Sequence, residues 1–349
     1  MATIRSTLKD IATRAGVSIV TVHKAIYDKP GISEETRQKV LRIVAELDYS
    51  VNAVASSLKR DVLKIAVIFP LLENNLNYFF RKVGEGIAEV ERELLDFRVS
   101  ILSYPCDKTW QNQVEILEII LAREDVDGVV IYCWDDTKLN PYFLRLQEKG
   151  IPVVTFNSDA VNSCRIGCVT APNERTGRLA AEFLCQIVPP GGGRIMVLGG
   201  NRMMKNLREI TFGFFSYVQK HRPDLTVMEI NDFGTLEDLS AEMERAFAAF
   251  GDLYGVYCNS ARNSIPLCEA LKKTGLAGRI KAVASDVFEE LAPYLDEGVI
   301  QATMWQDPKS QSKKAVEMLY EYLTNQRTPS DTYTVGIGIV MSNNFVDYL

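Results

Sequence analysis

Apolar residues near the start of the chain recur at helical spacing in two short runs. Within residues 7–27, TLKDIATRAGVSIVTVHKAIY, they fall at i, i+3 and i+4 positions on either side of a glycine-containing break. Gly16 allows a tight turn between the runs, and the Ser18 hydroxyl is placed to cap the second helix. The spacing predicts a helix-turn-helix, although an ordinary αα-hairpin would show the same pattern.

A third amphipathic helix follows and completes a small helical head. Ser33 is placed at its start, acidic residues fall in its first turn, and an apolar stripe runs from Val40 to Leu47. Residues 1–60 carry ten lysines and arginines against six aspartates and glutamates, a net charge of +4. The other 289 residues carry 29 against 39, a net charge of −10. This asymmetry favours a nucleic-acid-binding head on an acidic body.

From Lys64 onward, short apolar runs alternate with amphipathic helical stretches such as Phe80 to Leu94 and Gln111 to Ala122. Buried parallel strands have this appearance. The predicted strands are LKIAVIFP, FRVSILSY, VDGVVIYC, IPVVTFN, GRIMVLGG, LTVMEIN, LYGVYCNS and IKAVASD. A body of about 285 residues exceeds one ordinary domain, so we predict an all-α helix-turn-helix head followed by an α/β body of two doubly wound parallel-sheet lobes. We expect the second lobe to begin at the GGN after GRIMVL, and the chain to return to the first lobe through GIVMSNNFVDYL.

The head carries two motifs of a known family. TLKDIATRAGVSIVTVHKAI and GISEETRQKVLRIVAELDYSVNAVASSL together resemble the DNA-binding head and hinge of the lactose-repressor (LacI/GalR) family of bacterial transcription regulators. The family pattern is AxxAGVSxxTVSRxLN in the helix-turn-helix and YxPNxxAxxL in the hinge. This chain departs from it with His23-Lys24 in place of Ser-Arg and with Val51 in place of Pro. An arginine fork reads guanine more rigidly than lysine does, so the departure changes the expected operator sequence.

The resemblance and the helix-turn-helix geometry together predict the DNA contacts. The start of the second helix would enter a major groove. The hinge segment from Asn52 to Leu58 is too short to be a stable isolated helix, and the resemblance implies that it orders on DNA, pairs across a dimer axis and inserts Leu58 into the minor groove. A plain interdomain linker helix is the alternative. The predicted DNA contacts are Thr7, Ser18, Ile19, Val20, Thr21, His23, Lys24, Asn52, Ala55 and Leu58.

Polar and aromatic residues follow most of the predicted strands in the body. Ligands of open α/β sheets bind outside the carboxyl ends of the strands. Amides and carboxylates bracketed by aromatic rings suit a polyol, because hydroxyls need donors and acceptors while the C–H faces of a sugar pack on rings. A single Asn or Asp at such a position is more often a turn or cap residue, so the recurrence is what favours a binding site.

The body also resembles the periplasmic sugar-binding-protein fold, in particular its ribose-type branch, over nearly all of residues 62–349. NLREITFGF is similar to the segment that places an arginine five residues before a glycine, which implies Arg208 as a bidentate hydroxyl or anion ligand. The usual Asp-Arg after the strand PVVTF is Asn157-Ser158 here, so ribose is not expected, and another sugar, a cyclitol or a sugar acid stays open. The predicted effector contacts are Asn77, Phe79, Phe80, Trp134, Asn157, Asp159, Arg208, Asn259, Asp286 and Gln306.

Catalytic and metal-binding signatures are absent from the sequence. It contains no GxGxxG after a strand, no GxxxxGK[ST] and no GxSxG. His23 and His221 lie in different predicted domains, and the cysteine spacing matches no zinc pattern. We therefore expect no enzymatic activity, no metal and no cofactor.

Cysteine use and the absence of an apolar leader predict the compartment. Several of the seven cysteines lie within or beside apolar strands, where a free thiol packs as a small hydrophobe in a reducing compartment. MATIRSTLKD runs directly into the first helix, and no apolar stretch reaches the roughly 18 residues that span a bilayer. We expect a cytoplasmic protein without a membrane segment.

These expectations combine into one hypothesis. The predicted domains are a helix-turn-helix domain at 1–50, a hinge at 51–61 and a two-lobed effector-binding and dimerisation domain at 62–349. The predicted protein binds a pseudo-palindromic operator as a homodimer and is allosterically controlled by a sugar, polyol or sugar acid, with repression as the commoner mode of the family. A transport or chemotaxis receptor module, or a regulator controlled by a protein partner, remains the alternative.

Overall fold

A computed structural model describes residues 8–26, 30–47, 61–70, 77–107, 109–231, 236–325 and 328–349. These residues separate into two compact units, a first within Met1–Val62 and a second that holds Leu63–Leu95 and Val99–Leu349. The first unit contains three helices, α1 (Leu8–Ala15), α2 (Ile19–Ile26) and α3 (Glu34–Glu46).

One small core holds the three helices of the head together. Ile11, Val22 and Val40 come from α1, α2 and α3 respectively, and each side chain is fully buried. Gly16 adopts a φ of +66°, the left-handed conformation that lets the chain reverse between α1 and α2. The predicted helix-turn-helix and its third helix are confirmed.

The second unit is built from two α/β lobes. The first lobe contains β1 (Leu63–Pro70), α4 (Tyr78–Leu94), β2 (Val99–Cys106), α5 (Trp110–Ala122), β3 (Gly128–Ile131), α6 (Asp136–Glu148), β4 (Val153–Phe156) and β5 (Gly167–Thr170). The second contains α7 (Asn173–Ile187), β6 (Gly193–Gly199), α8 (Lys205–His221), β7 (Leu225–Asn231), α9 (Leu236–Ala249), β8 (Leu253–Cys258), α10 (Ala261–Lys273), β9 (Lys281–Ser285), α11 (Ala292–Asp296) and β10 (Ala302–Trp305). The chain closes with α12 (Pro308–Asn325), β11 (Thr332–Thr334), β12 (Gly338–Val340) and a 3-10 helix at Ser342–Tyr348.

Each lobe has a six-stranded sheet. The strand order is β11-β5-β4-β3-β1-β2 in the first lobe and β12-β10-β9-β8-β6-β7 in the second. All pairings are parallel except that of β10 with β12. Central strands such as β3 are buried along their whole length, because helices cover both faces of a parallel sheet. The predicted architecture of two doubly wound lobes is confirmed.

Two expectations about the path of the chain between the lobes are wrong. The second lobe begins at α7, one helix and one strand earlier than the GGN motif, because α7 packs on α8 and on β8 of the second sheet. The chain returns to the first lobe through α12 and β11, since α12 packs on α4 and on β3 to β5. Residues 338–349 belong to the second lobe instead, where β12 pairs antiparallel with β10.

Candidate functional site

The start of α2 forms an exposed apolar surface on the head. Ile19 is 48% exposed and Val20 is 66% exposed. Ser18 fixes this start, because its Oγ accepts a hydrogen bond from the backbone N–H of Thr21 at 3.1 Å. In a helix-turn-helix these are the positions at which side chains meet base edges, so solvent exposure of two aliphatic residues here is suited to a groove.

The other predicted DNA contacts are less fully described. The Thr21 hydroxyl lies 2.9 Å from the Ser18 hydroxyl, next to the cap. Lys24 is half-buried, and its ammonium lies beside Gly31, where an added Cβ would come within 2.9 Å of it. Five predicted contacts lie outside the described parts of the chain, namely Thr7, the side chain of His23, Asn52, Ala55 and Leu58.

In the body, the first turn of α4 bridges the two lobes. The Tyr78 ring stacks on Phe288 of the second lobe, with ring centroids 3.9 Å apart. Arg81 donates to both carboxylate oxygens of Glu290 at 2.8 Å. The predicted contact Phe79 packs against the core of the second lobe, and Asn77 is buried directly before the helix. Both lobes therefore meet at this end of the cleft between their strand ends.

An aromatic cluster lines the first-lobe side of the cleft. Tyr132 follows β3, is 3% exposed, and lies edge-on to the predicted contact Phe80 with ring centroids 4.9 Å apart. Its ring is also 5.9 Å from Trp134 and 5.8 Å from Phe156. Its hydroxyl donates to Sδ of Met204, directly before α8 in the second lobe, at 3.7 Å. Tyr132 thus belongs to an aromatic cluster of the first lobe and contacts the second lobe through its hydroxyl.

A chain of amide hydrogen bonds crosses from one lobe to the other. Asn206, in the first turn of α8, donates through Nδ2 to Oδ1 of Asn157 at 2.7 Å. Asn157 donates through its own Nδ2 to Oε1 of Gln311 at 3.0 Å. Gln311 donates in turn to the backbone carbonyl of Gln306 at 2.7 Å. Asn157, where the resembling branch has a charged Asp-Arg pair, therefore belongs to a neutral network.

Asp286 is the buried acid of the cleft. It follows β9, is 4% exposed, and accepts a hydrogen bond from Nε2 of Gln306 at 3.4 Å. Burial raises the pKa of Asp286 to about 7, and the hydrogen bond from Gln306 opposes that rise. Burial also raises the pKa of Tyr132, and nearby thiols and the charge of Asp286 add to the rise, while a hydrogen bond with the Asn206 side chain opposes it.

Left-handed backbone positions two of these side chains. Asn157 has a φ of +60° and Asp286 a φ of +67°, each immediately after a strand. Asn and Asp tolerate this conformation better than other residues with a Cβ. The reversal ends each strand and turns the side chain toward the cleft edge of its sheet.

Three predicted effector contacts use their hydrogen-bonding groups within their own lobe. Asn259 accepts from the Gly200 N–H and donates to the Thr211 hydroxyl, both at 2.9 Å. Asp159 is held by Arg165 at 2.8 Å and by the Thr155 hydroxyl at 2.8 Å; burial alone would raise the pKa of Asp159, but Arg165 lowers it. Arg208 donates to the backbone carbonyls of Arg202 and Met203 at 2.9 and 2.7 Å.

Three buried asparagines, Asn173, Asn206 and Asn263, lie in the first turns of α7, α8 and α10; Asn263 is among the polar residues that follow the predicted strand LYGVYCNS, whereas Asn173 and Asn206 were not predicted. Each begins the buried stripe of its helix, as Asn206 does with Ile210 and Phe214 at i+4 and i+8. A polar residue that opens an apolar stripe at a helix start is the signal that would have identified them. Their exposed fractions are 5%, 5% and 0%.

The described residues include neither a metal-binding cluster nor a membrane-spanning helix. No group of three or more His, Cys, Asp or Glu side chains among them is arranged to hold a metal ion. Within the same part of the chain, no helix is both long and apolar enough to cross a membrane.

Comparison with known proteins identifies both units. Residues 65–327 match the family described as periplasmic binding protein domain, and residues 7–52 match bacterial regulatory proteins, lacI family. The chain is similar to the probable HTH-type transcriptional repressor ExuR of Bacillus subtilis, 25% identical over 77% of this chain and 78% of that protein. It is also similar to the HTH-type transcriptional repressor PurR of Vibrio parahaemolyticus, 25% identical over 97% of this chain and 98% of that protein.

Solved structures agree on the fold of the body. An ABC transporter solute-binding protein from Burkholderia graminis in complex with D-arabinose has a TM-score of 0.75, is 23% identical, and aligns over 82% of this chain and 98% of its own. A putative LacI transcriptional regulator from Bacteroides fragilis has a TM-score of 0.73, is 20% identical, and aligns over 83% and 100%. At these identities the likeness shows the fold.

The fold and the site thus define a two-lobed periplasmic-binding-protein domain preceded by a helix-turn-helix. The chain belongs to the periplasmic binding protein domain family, its first residues match a lacI-family DNA-binding domain, and its homologues include transcriptional repressors. The matched relatives are repressors and sugar-binding proteins, not enzymes.

Proposed function

We propose that this protein represses transcription as an operator-bound homodimer and that a small polyhydroxylated effector, held between the two lobes, controls its affinity for DNA. The observation that carries the proposal is the contact between the lobes at their strand ends, where Asn206 of the second lobe donates to Asn157 of the first and Tyr132 of the first donates to Met204 of the second. Polar groups contributed by two lobes bind a ligand most tightly when the lobes are closed, which makes lobe closure the element that the effector biases.

The proposed division of the chain is a DNA-binding domain at 1–50, a hinge at 51–61 and an effector-binding and dimerisation domain at 62–349. Dimerisation is proposed because two copies of one helix-turn-helix read the two halves of a pseudo-palindrome. A cytoplasmic location is supported by the seven cysteines, all of which are free thiols.

The names of the relatives support the choice of effector class. One matched relative is named a sucrose operon repressor, and one solved structure of the same fold holds D-arabinose. We propose a ligand of that general kind for this chain. The amides and aromatic rings of the cleft suit hydroxyl groups and the C–H faces between them.

The DNA-binding part is tested by selecting sequences from random duplex DNA with the full-length protein. The expected result is a pseudo-palindromic site. Val20→Ala should weaken binding to that site at least about 5-fold, because a base-contacting side chain is worth roughly 1–3 kcal/mol. Ile119→Ala is the matched control, since Ile119 is 54% exposed on α5 of the body. Recovery of no preferred sequence, or equal losses in both variants, would refute the assignment of α2.

The effector part is tested by thermal-shift screening of sugars, polyols and cyclitols, followed by operator titration with any hit. A ligand that binds the native state raises its stability. A true effector must also change operator affinity, and the operator must change effector affinity by the same factor. A ligand that binds but leaves operator affinity untouched would favour a binding module without regulatory coupling.

A further inference from the structure

The three first-turn asparagines leave buried hydrogen-bonding atoms without partners. Among the described residues, Oδ1 of Asn173, Oδ1 of Asn206 and both amide atoms of Asn263 are fully enclosed and accept or donate no hydrogen bond. A buried polar atom without a partner costs roughly 1–3 kcal/mol. The second lobe therefore holds three buried amide oxygens that can each accept a hydrogen bond from a ligand.

These side chains lie at the ligand end of the second lobe. The Cβ of a helical residue tilts toward the helix N-terminus, so a first-turn side chain projects over the start of its own helix. α10 starts three residues after the carboxyl end of β8, which is an end that faces the cleft. Asn206 is already placed there by its hydrogen bond to Asn157 of the other lobe. Asn263 lies in the first turn of α10, which follows the neighbouring strand β8. The hydroxyl of the next residue, Ser264, donates to the Ser285 carbonyl of β9.

The described cationic side chains near the strand ends include several that are already engaged, while Lys108, which follows β2, lies outside the described residues. Arg165 is 7% exposed and pairs with Asp159 and Asp331, and Arg208 is bound to two backbone carbonyls. Arg202 pairs with Glu229, and Lys205 pairs with Glu209 at 2.6 Å. Residues 71–76, LLENNL, which join β1 to α4, contain no lysine or arginine.

Among the described residues, the acid in the cleft has no cationic partner. Burial raises the pKa of Asp286 to about 7, and the one group that opposes this rise is the neutral Gln306 amide. An anionic ligand would bring a negative charge beside Asp286, oppose the ionisation of Asp286 further, and have no cation among the described partners of Asp286 to offset its charge. A hydroxyl group, in contrast, can donate to a carboxylate or accept from a carboxylic acid.

We propose that the cleft takes an uncharged polyhydroxylated ring in preference to a sugar acid or sugar phosphate, and that Asn263 is one of its hydrogen-bonding contacts. The inference rests on the proposed function, because it specifies the ligand of the proposed effector site. The recognising groups are amide oxygens that accept from ligand hydroxyls, the Asn263 Nδ2 group that donates to one, and the Tyr132 cluster that packs on the ring face.

The charge of the ligand is tested with matched pairs on the full-length protein. Each pair has nearly the same ring and differs in charge: galactose with galacturonate, glucose with glucuronate, and glucose with glucose 6-phosphate. Myo-inositol adds a neutral cyclitol. Isothermal titration should give the neutral member of a binding pair at least about 100-fold the affinity of its acid, which corresponds to about 2.7 kcal/mol. A tighter acid or phosphate would overturn the inference while leaving the proposed function standing. If nothing in this panel or in the wider screen of sugars, polyols and cyclitols binds, the proposed function itself fails, and the inference with it.

The role of Asn263 is tested separately by Asn263→Leu, which keeps the branched four-atom skeleton of the side chain with somewhat larger volume and removes both amide atoms. The expected result is an unchanged or higher melting temperature without ligand, because an unpartnered buried amide is removed, together with at least about 10-fold weaker binding of the neutral ligand. Asn263→Asp provides a second, smaller change. A variant that melts lower and binds the ligand as wild type does would show that Asn263 is a structural core residue.

Discussion

Replacing Asp286 with asparagine is expected to stabilise the ligand-free protein at pH 8 and to have little effect near pH 4. Asp286 is 4% exposed, and burial raises its pKa to about 7 from the ordinary value of 3.8. The folded protein therefore holds a proton that the unfolded chain has already released in this range. The sign follows from linkage: the native state binds more protons, so stability falls as pH rises.

The magnitude follows from the two pKa values. Their difference, about 3 pH units at about 1.4 kcal/mol each, corresponds to about 4 kcal/mol in total. Linkage distributes this loss between about pH 4 and pH 7, so roughly 2–3 kcal/mol of it should appear between pH 5 and pH 8. Asparagine keeps the shape of the side chain and cannot ionise, so the variant avoids the loss. Burial raises the pKa of the Tyr132 and Tyr257 hydroxyls, and the charge of Asp286 raises both further, so neither phenol titrates between pH 4 and pH 8.

The assay is urea unfolding of wild type and Asp286→Asn at half-unit steps from pH 4 to pH 8, followed by intrinsic fluorescence. The difference in free energy of unfolding should grow with pH in favour of the variant. Asp159→Asn is the matched control with opposite sign. Burial would raise the pKa of Asp159, but Arg165 lowers it, so that variant should lose stability above pH 4 and regain parity as pH falls. A pH-independent difference for Asp286→Asn would refute the assignment of Asp286 as a buried acid without a cationic partner.

Two further predictions concern packing within and between lobes. Gly177→Ala should destabilise the body by roughly 1–3 kcal/mol or more in thermal melts, because the added Cβ would overlap the Ile210 carbonyl where α7 crosses α8. Gly251→Ala is the control and should be near neutral in the same melts, because its added Cβ would have no atom within 4 Å. Arg81→Ala breaks the ion pair with Glu290 between the lobes and should weaken effector binding in calorimetric titrations. Arg145→Ala breaks an equally exposed ion pair with Glu118 inside the first lobe and should leave effector binding unchanged. Equal effects within either pair of variants would contradict the corresponding argument.

Sequence patterns located eight of the twelve strands in the described residues and missed β5, β10, β11 and β12, each three or four residues long. LKIAVIFP coincides with β1, which is buried over its last six residues because helices cover both faces of the sheet, and LTVMEIN coincides with β7, an edge strand that is only partly buried. β5 reads GCVT and β11 reads TYT, and β11 is exposed along its length. Such short runs of small and polar residues carry no apolar signal, so the return of the chain to the first lobe depends on tertiary pairing that periodicity does not encode.

The same limit explains the partial prediction of the site. Asp286 and Gln306 were named from strand ends and lie together in the structure. Arg208 and Asn206 are two residues apart in the first turn of α8, about 200° around the helix, so only one of them can face inward. The resemblance selected the charged residue, whereas the apolar stripe through Ile210 and Phe214 selects Asn206.

The buried asparagines also connect ligand binding to the free energy of lobe closure. If the lobes open so that the Oδ1 atoms of Asn173, Asn206 and Asn263 reach water, these atoms gain hydrogen bonds there, whereas in this structure they are enclosed without partners. Closure without ligand would then cost roughly 1–3 kcal/mol for each oxygen, and a ligand that donates a hydroxyl to each removes that cost. A coupling free energy of 1–3 kcal/mol is the usual size of allosteric effects, so even one or two of the three oxygens would suffice. We infer that the polar groups which select the ligand are also those that oppose closure in its absence, so that specificity and switching arise from the same atoms.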